Sequence, residues 1–536
     1  MSRVQRIELL IFTACFLAFA YFNQGGGWNQ NARFAEVRAM AEQGRFAIDD
    51  FLVYRPLPDG NDLQRIPVRN AEYTVNGKRF RLCWVDMVWS LFPVGDHPLE
   101  EGVEKAPMVE ICASGDIGYV PETGHFHPNK PPGTSFAGLP AYLIVSRVEE
   151  WLGINRDHWW TLNLNAWLTT VCSVGLLSAI ACVLFFRLAR GFADGRVLPA
   201  LMATMAFAFA TTFFPFATLF FDHNLTAAFM LAAFYFLCPF GAAANSAMKL
   251  RREEPAERTR ALWVVAAGFC AGFAAITNYV AAVVVAFLAL YLLLGLRAPG
   301  SPLRWRDLIL FGAGVLGPFL AICWYGWSCF GSPFRLNTDF QNPLFKDPHG
   351  ALGMFARPNL YVAALLIASP FRGLFFLAPV LVLGVYGIVC WIREKRFVPE
   401  TRLCWGVFTF FFVVNICFNG YHGGFAAGPR YLVPGIPFLA LPLVVGFMRW
   451  PRVAWLLTIV SVGCQLLLTA TDAQNPVGVG GHARSDGSRA EDARDLRRRA
   501  LLHGRHSRSE AHQVFDKILP EARQGTGADG CALSWH

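Results

Sequence analysis

Polar residues with the capacity for chemistry stand in a few short segments between long apolar runs. Two of them are cations: Lys130 precedes a pair of prolines, and Arg430 follows a Gly-Pro pair. Lysine offers a phosphate group a point charge, and arginine offers it a planar fork of donors. Both would also stabilise the negative charge that develops on a departing phosphate. The two cations therefore predict a site that binds the phosphate of a lipid.

Three acidic residues, predicted on the same side of the protein as Lys130 and Arg430, are candidates for a general base. They are Asp49, Asp50 and Asp116. A carboxylate can accept the proton of a hydroxyl group as that hydroxyl attacks its target. Each feature also has a purely structural interpretation, because Asp49 and Asp50 fit a solvated turn, while Lys130 and Arg430 fit anchors at helix ends.

Further polar residues stand at or near the ends of apolar runs. The candidate substrate-binding residues are Asn31, His223, Arg372 and His422. His223 follows Asp222 at the start of a run, which is also the pattern of a helix N-terminal cap. His125 and His127 supply two ligands, which are too few for a metal site. The sequence indicates no metal and no certain cofactor, although a divalent ion is compatible with it.

Composition indicates that these residues are held by membrane spans. Hydrophobic residues make up 54% of the 536 residues and charged residues only 16%, whereas soluble domains carry about a quarter. The net charge is +9, and the Lys and Arg residues stand in short clusters between apolar runs. Such a distribution is typical of the loops of multi-pass membrane proteins. We expect a multi-pass integral protein of a bacterial inner membrane, which contacts membrane lipids and binds no nucleic acid.

About eleven apolar runs are near the roughly 20 residues that a spanning helix needs. They are 9–22, 163–186, 197–216, 222–240, 261–277, 280–296, 307–329, 373–392, 403–418, 432–448 and 453–470. A further run, 133–151, carries Arg147, Glu149 and Glu150 and is predicted to lie at the interface. If residues 133–151 do not cross the membrane, every basic cluster lies on the same side as Arg3, as the positive-inside rule expects.

This topology divides the chain into a membrane domain and a tail. The domain covers residues 1–470 and has two long extracytoplasmic loops, 23–162 and 330–372. Residues 471–536 contain too few apolar residues to bury a core and are predicted to be disordered.

The first long loop contains two local signals. Phe34, Val37 and Met40 recur at helical spacing in a charged background, which predicts an amphipathic helix at the membrane surface. Residues 65–85 alternate in polarity around Asn76-Gly77, which predicts a β-hairpin.

Four motifs, in order along the chain, are similar to those of a known superfamily. They are Gln30-Asn31-Ala32-Arg33-Phe34, Lys130-Pro131-Pro132-Gly133, the segment 369–379, and Gly428-Pro429-Arg430-Tyr431-Leu432-Val433-Pro434. Over residues 1–470 the sequence resembles the GT-C superfamily of polytopic glycosyltransferases, in the protein-mannosyltransferase-like branch (family 39) that includes the lipid A aminoarabinose transferases. The resemblance implies an all-α polytopic fold with juxtamembrane helices in its large first loop.

The resemblance also implies an activity. A hexose or pentose would pass, with inversion, from a polyprenyl-phosphate carrier to a hydroxyl of a lipid, glycan or protein on the extracytoplasmic face. By the family's pattern, Lys130 and Arg430 hold the carrier phosphate. The alternative from another class is a transporter or flippase of lipid-linked sugars, but paired repeats, which many transporters carry, are not evident in the sequence.

The chain departs from the family's pattern at one place. Where the family has an acidic pair after the first span, this chain has Gln30-Asn31, and an amide cannot act as a base. Either Asp49, Asp50 or Asp116 supplies the base, or the chain only binds the lipid-linked sugar.

Overall fold

The computed structural model describes most of the chain up to residue 473. The described residues are 1–24, 26–58, 61–68, 72–75, 78–85, 88–93, 111–238, 257–297, 303–341, 354–370, 372–421, 423–424, 426, 428–471 and 473. For 72–93 and 111–112 only the backbone is described. Nearly all of the predicted tail therefore lies outside the described residues.

Helices dominate the described chain. They are α1 (Arg3–Tyr21), α2 (Trp28–Gln43), α3 (Gly133–Leu152), α4 (Trp159–Thr170), α5 (Leu176–Phe192), α6 (Val197–Phe209), α7 (Phe213–Ala217), α8 (Asp222–Leu237), α9 (Glu257–Thr277), α10 (Ala282–Leu296), α11 (Trp305–Phe330), α12 (Leu360–Ala368), α13 (Leu374–Leu377), α14 (Val382–Arg393), α15 (Val398–Cys417), α16 (Ile436–Ala440), α17 (Leu443–Arg449) and α18 (Pro451–Thr471). A π-helical turn at Val171–Gly175 joins α4 to α5. Short 3-10 turns occur at Asp49–Phe51, Tyr279–Ala281, Asn337–Phe340, Pro379–Leu381 and Arg430–Gly435.

Seven helices among the described residues are long and apolar enough to cross a membrane. An eighth span results if Arg430–Ala440 and Leu443–Arg449, which meet at a 50° bend, form one broken helix. Shorter apolar helices occur at Val197–Phe209 and Pro379–Arg393. The multi-pass helical architecture predicted from the sequence is thus confirmed, while the count of about eleven spans stays a prediction.

Small residues allow the membrane helices to pack at short range. A methyl group at Gly268 of α9 would lie 2.0 Å from the Phe311 carbonyl oxygen, and one at Gly314 of α11 would lie 2.1 Å from that of Val265. The backbones of α9 and α11 are therefore in direct contact, as is common where the solvent is lipid and packing drives association.

The described residues of the first long loop, 23–162, include eight short strands. They are β1 (Val53–Pro56), β2 (Leu63–Ile66), β3 (Glu72–Val75), β4 (Lys78–Val85), β5 (Val88–Pro93), β6 (Ile111–Cys112), β7 (Ile117–Val120) and β8 (His125–Pro128). They pair antiparallel in the orders β2-β1-β6, β3-β4-β5 and β7-β8. Val75 pairs with Lys78, so the predicted hairpin is confirmed, although its turn residues 76 and 77 lie outside the described residues.

Helix α2 forms where the apolar spacing predicts it, but its environment differs from the prediction. Every residue from Gln30 to Ala39 is buried, including Arg33 and Glu36. The predicted helix is therefore confirmed, but an amphipathic helix at a surface would expose its polar face, and that part of the prediction is wrong. The reason is that α3, β8 and the turn at Asp49–Phe51 cover α2 on several sides.

Helix α3 starts directly after the Lys-Pro-Pro motif. It is not among the candidate spans of the described chain. Ile144 and Trp151 are exposed at 69% and 84%, which gives α3 an apolar face available to lipid. This agrees with the predicted interfacial placement, which remains a prediction.

Candidate active site

The centre of the candidate site is a buried ion pair at the start of α8. Asp222 Oδ1 accepts a hydrogen bond from Arg33 Nη2 at 2.7 Å. Its Oδ2 accepts one from Asn278 Nδ2 at 2.8 Å. Asp222 occupies the first turn of α8, where the helix dipole favours a negative charge. Both oxygens of this carboxylate are therefore engaged.

Arg33 connects three parts of the chain. Besides Asp222, its guanidinium donates to Asn29 Oδ1 within α2 at 3.0 Å and to the Pro131 carbonyl oxygen at 3.2 Å. Burial lowers the pKa of Arg33, and the charge of Asp222 opposes that shift. Arg33 thus ties the Lys-Pro-Pro motif to α2 and α8.

The β7–β8 hairpin brings Asp116 and Lys130 together. Asp116 immediately precedes β7, and Lys130 follows β8 by two residues. Backbone pairing continues past the strands, because the Asn129 amide donates to the Asp116 carbonyl oxygen at 3.1 Å. Lys130 Nζ then donates to Asp116 Oδ1 at 3.1 Å. The structure therefore joins the predicted phosphate-binding lysine to one predicted base.

Arg430 begins the 3-10 turn that leads into α16. Its Nη2 donates to Tyr431 Oη at 2.7 Å, and its guanidinium lies over the rings of Tyr431 and Phe221 at 4.8 and 5.7 Å. The Nε atom is buried and has no hydrogen-bond partner among the described residues. Since a guanidinium carries five N–H donors, Arg430 keeps donors for a ligand.

Arg430 and Lys130 belong to the same electrostatic cluster. The charges of Asp116 and Arg430 both act on the pKa of Arg33, after burial and after Asp222 and Glu36. Three cations, Arg33, Lys130 and Arg430, thus lie close to two ion-paired carboxylates, Asp116 and Asp222. When Glu36 is protonated, the cluster has one positive charge in excess.

A glycine turn supports Arg430. Gly423 has a φ of +70°, and a methyl group there would lie 3.0 Å from Arg430 Cγ. Arg372 fixes the same turn by donating to the carbonyl oxygens of Gly424 at 2.7 Å and Ala426 at 3.1 Å. Burial, and then the charge of Arg430, lower the pKa of Arg372 to about 10. Arg372 therefore lies near Arg430 and holds the turn beneath it.

Asp49 and Asp50 make their contacts elsewhere. Asp49 Oδ2 lies 2.7 Å from His125 Nδ1, and its Oδ1 accepts from the Phe126 amide at 2.9 Å. Asp50 pairs with Arg45 at 2.5 Å. Among the described residues, neither aspartate contacts the cluster around Lys130. The two carboxylates fasten the Asp49–Phe51 turn to its neighbours.

The two amides that replace the family's acidic pair hold backbone groups. Asn31 Nδ2 donates to the Ala113 carbonyl oxygen at 2.7 Å, and Gln30 Oε1 accepts from the Phe220 amide at 2.8 Å. Both line a small pocket whose other walls, among them Asn163 and Thr170, are also uncharged. The site offers amide groups, rather than carboxylates, at this position.

His223 lies inside the cluster, whereas His422 lies outside the described residues. The His223 ring is buried against Phe216, Phe221 and Tyr431, with ring centroids 5.5 to 5.9 Å away. Its Nδ1 lies 3.4 Å from Asp222 Oδ2 and makes no hydrogen bond among the described residues.

A second buried hydrogen-bond network holds the backbone at Pro128, two residues before Lys130. Asn337 Nδ2 donates to the Pro128 carbonyl oxygen and lies in hydrogen-bond contact with Tyr325 Oη, each at 2.8 Å. Tyr279 Oη donates to Asn337 Oδ1 at 2.7 Å. Tyr325 Oη also reaches Glu36 Oε1 at 2.8 Å. Burial raises the pKa of Glu36 to about 7.

Sequence reasoning places Asp222 beside His223 in a polar segment at the start of an apolar run, but it does not predict that Asp222 pairs with Arg33 and Asn278. Both partners lie far away in sequence, so no local pattern signals these contacts.

Metal binding is not evident in the described part of the chain. No three His, Cys, Asp or Glu side chains among the described residues are grouped so that they could hold an ion.

No family model and no curated protein matches this chain. Among solved structures, it is similar to ArnT from Cupriavidus metallidurans bound to undecaprenyl phosphate, with 15% identity and a TM-score of 0.44, over 94% of this chain and 73% of that chain. It is also similar to the archaeal oligosaccharyltransferase AglB from Archaeoglobus fulgidus in complex with an inhibitory peptide and a dolichol-phosphate. That match has 12% identity and a TM-score of 0.44, over 92% of this chain and 60% of that one.

These are likenesses of overall architecture. This chain spans less than two thirds of the length of AglB. Because both TM-scores are below 0.5, the function is inferred from the residues of the site itself.

Proposed function

We propose that this chain is an integral-membrane glycosyltransferase. It moves a sugar from a polyprenyl-phosphate carrier to a hydroxyl group of a lipid, glycan or protein on the extracytoplasmic face of the inner membrane. The observation that supports the proposal most directly is the cluster of Arg33, Lys130 and Arg430 with the ion-paired carboxylates of Asp116 and Asp222. Its excess positive charge suits the carrier phosphate, which is a phosphodiester with one negative charge before transfer and becomes a more negative phosphate monoester when the sugar leaves.

Lys130 and Arg430 are the cations best able to bind the carrier phosphate. Arg33 is buried at 1% exposure and has all three nitrogens engaged by protein groups. Among the described residues, Lys130 Nζ donates a hydrogen bond only to Asp116, and Arg430 Nε has no hydrogen-bond partner. A phosphate held by these two groups would have its developing charge stabilised as the sugar departs.

Asp116 is the best candidate for the general base. Both oxygens of Asp222 accept hydrogen bonds, whereas Asp116 is bound to Lys130 through Oδ1 and is 14% exposed at its side chain. Its second oxygen can take the acceptor's proton. In the reaction, the acceptor oxygen bonds to the anomeric carbon and the bond from that carbon to the phosphate oxygen breaks. The products are the glycosylated acceptor and polyprenyl phosphate.

Asp222 and Arg33 then act as positioning residues. The ion pair fixes the Pro131 carbonyl, and with it the turn that presents Lys130. The uncharged pocket beside Gln30 and Asn31 has a volume of about 20 Å³, which is enough for a single hydroxyl group or water molecule.

The test is a release assay on the purified protein in lipid nanodiscs. The donors are synthetic polyprenyl-phosphate hexoses and pentoses, the acceptor is total membrane lipid, and mass spectrometry measures free polyprenyl phosphate. Lys130→Ala and Arg430→Gln are expected to lose release. Arg335→Gln is the matched control, because Arg335 is an exposed arginine of the second outer loop paired with Glu122.

Release that depends on both cations supports the transferase. Donor binding without release from any donor of the panel would instead favour the non-catalytic binder or the transporter. The Gln30-Asn31 substitution keeps the binder as the second candidate.

A further inference from the structure

A groove follows the length of α14 and reaches Arg449 at the end of α17. Its volume is about 610 Å³. The walls are apolar and include Phe375, Val382, Val385 and Val389. Val382 and Val389 are exposed at 49% and 38%, so the walls are open to the lipid phase.

The mouth of the groove is basic. Arg393 and Arg449 are the last residues of α14 and α17, and both line the cavity. Arg449 pairs with Glu394 and donates to Cys390 Sγ at 3.1 Å. Arg393 is exposed and makes no ion pair within the described residues. The mouth therefore has two guanidinium groups and one carboxylate, that of Glu394, which leaves one positive charge in excess.

The basic mouth of the groove and the candidate active site lie at opposite ends of one bent pair of helices. Arg430 lies at the beginning of the bent pair of helices that ends at Arg449. At 1.5 Å a residue, these helices cover about 28 Å before the bend is counted, close to the hydrocarbon thickness of about 30 Å. The predicted topology places Arg393 and Arg449 on the cytoplasmic side, with the other basic clusters.

Two aromatic residues mark the level of the lipid headgroups. Trp450 is 55% exposed, and its Nε1 donates to Tyr386 Oη at 3.0 Å. Amphipathic rings of this kind are enriched at the boundary between hydrocarbon and water. The arginines therefore lie at the depth of a phosphate headgroup, and the valine wall lies at the depth of an acyl chain.

We propose that this groove is a binding site for one anionic phospholipid of the inner leaflet. The phosphate lies between Arg393 and Arg449, and one acyl chain lies along the wall formed by Val382, Val385 and Val389. The charge of the mouth selects an anionic headgroup over a zwitterionic one. This proposal does not depend on the proposed glycosyl transfer.

Photolabelling tests the site. The full-length protein in nanodiscs is irradiated with phosphatidylglycerol or phosphatidylcholine that carries a photoreactive acyl chain, and labelled peptides are mapped by mass spectrometry. Phosphatidylglycerol is expected to label α14 and α17 more strongly than phosphatidylcholine does. Each arginine removed should cost about fivefold of that preference.

Three variants complete the test. The double variant Arg393→Gln/Arg449→Gln should abolish the headgroup preference, and Val385→Trp should fill the groove and reduce labelling by both lipids. Arg306→Gln, on the same predicted side and paired with Glu257, should change neither. Size-exclusion elution verifies that each variant is folded. Equal labelling by the two lipids, an unchanged preference in the double variant, or labelling that misses both helices would overturn the proposal.

Discussion

Arg33 and Asp222 are 189 residues apart in the chain and form an ion pair of 2.7 Å that is almost completely buried. The pair joins α2, in the first long loop, to the start of α8. Arg33 also donates a hydrogen bond to the Pro131 carbonyl oxygen. The position of Lys130 therefore depends on the contact between α2 and α8.

Breaking this pair from one side should destabilise the fold. Asp222→Asn leaves Arg33 buried without a countercharge, and we expect a loss of about 3–5 kcal/mol, as for other buried pairs. Thermal unfolding in detergent measures the effect. The double variant Arg33→Met/Asp222→Asn should recover part of the loss, because it removes the unpaired charge. An unchanged Tm for Asp222→Asn would contradict this account of the pair.

Asn337 should position Lys130 without contacting substrate. Its side chain holds the Pro128 carbonyl, two residues before the lysine. Asn337→Ala is therefore expected to lower kcat/KM for polyprenyl-phosphate sugar by roughly tenfold to a hundredfold, the scale of a small misplacement. Tyr279→Phe is the matched control, because it removes one hydrogen bond to Asn337 and leaves Pro128 bound. Equal losses in the two variants would indicate a general loss of packing instead.

Glu36 should make the stability of the fold depend on pH. Burial raises its pKa from 4.5 to about 7, so the folded state binds the proton more tightly than the unfolded state does. The stabilisation is complete below about pH 4.5 and is lost as the pH rises through 7, and the change is on the order of 3 kcal/mol.

The variant Glu36→Gln isolates this effect. The amide resembles the protonated acid, so the variant should lose this pH dependence and gain stability over the wild type above pH 7. Unfolding temperatures of both proteins between pH 5 and pH 9 supply the comparison. Two parallel curves would show that Glu36 does not change its protonation on unfolding.

Substitutions at two adjacent glycines distinguish the effect of backbone strain from the effect of a contact with Arg430. Gly423 and Gly424 have φ values of +70° and +59°, so alanine at either position costs about 1–2 kcal/mol. Only the methyl group at Gly423 would meet the Arg430 side chain; at Gly424 nothing lies within 4 Å. We expect Gly423→Ala to raise KM for the donor and Gly424→Ala to leave it nearly unchanged. Equal KM values in the two variants would refute the role of Gly423.

The sequence predicts those parts of the fold that depend on local patterns. Apolar runs located the membrane helices, and the alternation around residues 76 and 77 located a hairpin that the register of β3 and β4 confirms. Asp116 and Lys130 were predicted on one face, and a short hairpin places them in contact. These features depend on residues that are close in sequence.

The remainder of the site depends on long-range contacts that a single sequence does not reveal. The apolar spacing in α2 predicted a surface helix, but packing against α3 and β8 buries its polar face as well. Arg33 was recognised only as part of a motif, because its partner Asp222 follows 189 residues later. The burial of both residues makes their pairing necessary, and burial becomes visible only once the helices are assembled.

The central claim is that Asp116 takes the acceptor's proton while the cations hold the carrier phosphate. The most direct measurement compares wild type with Asp116→Asn in nanodiscs, following both donor binding and release of polyprenyl phosphate. We predict that the variant binds donor as well as or better than wild type, because a negative charge is removed, while release falls by about 10²–10⁴-fold. Release at the wild-type rate from Asp116→Asn, or a wild type that binds donor and releases nothing, would contradict the account.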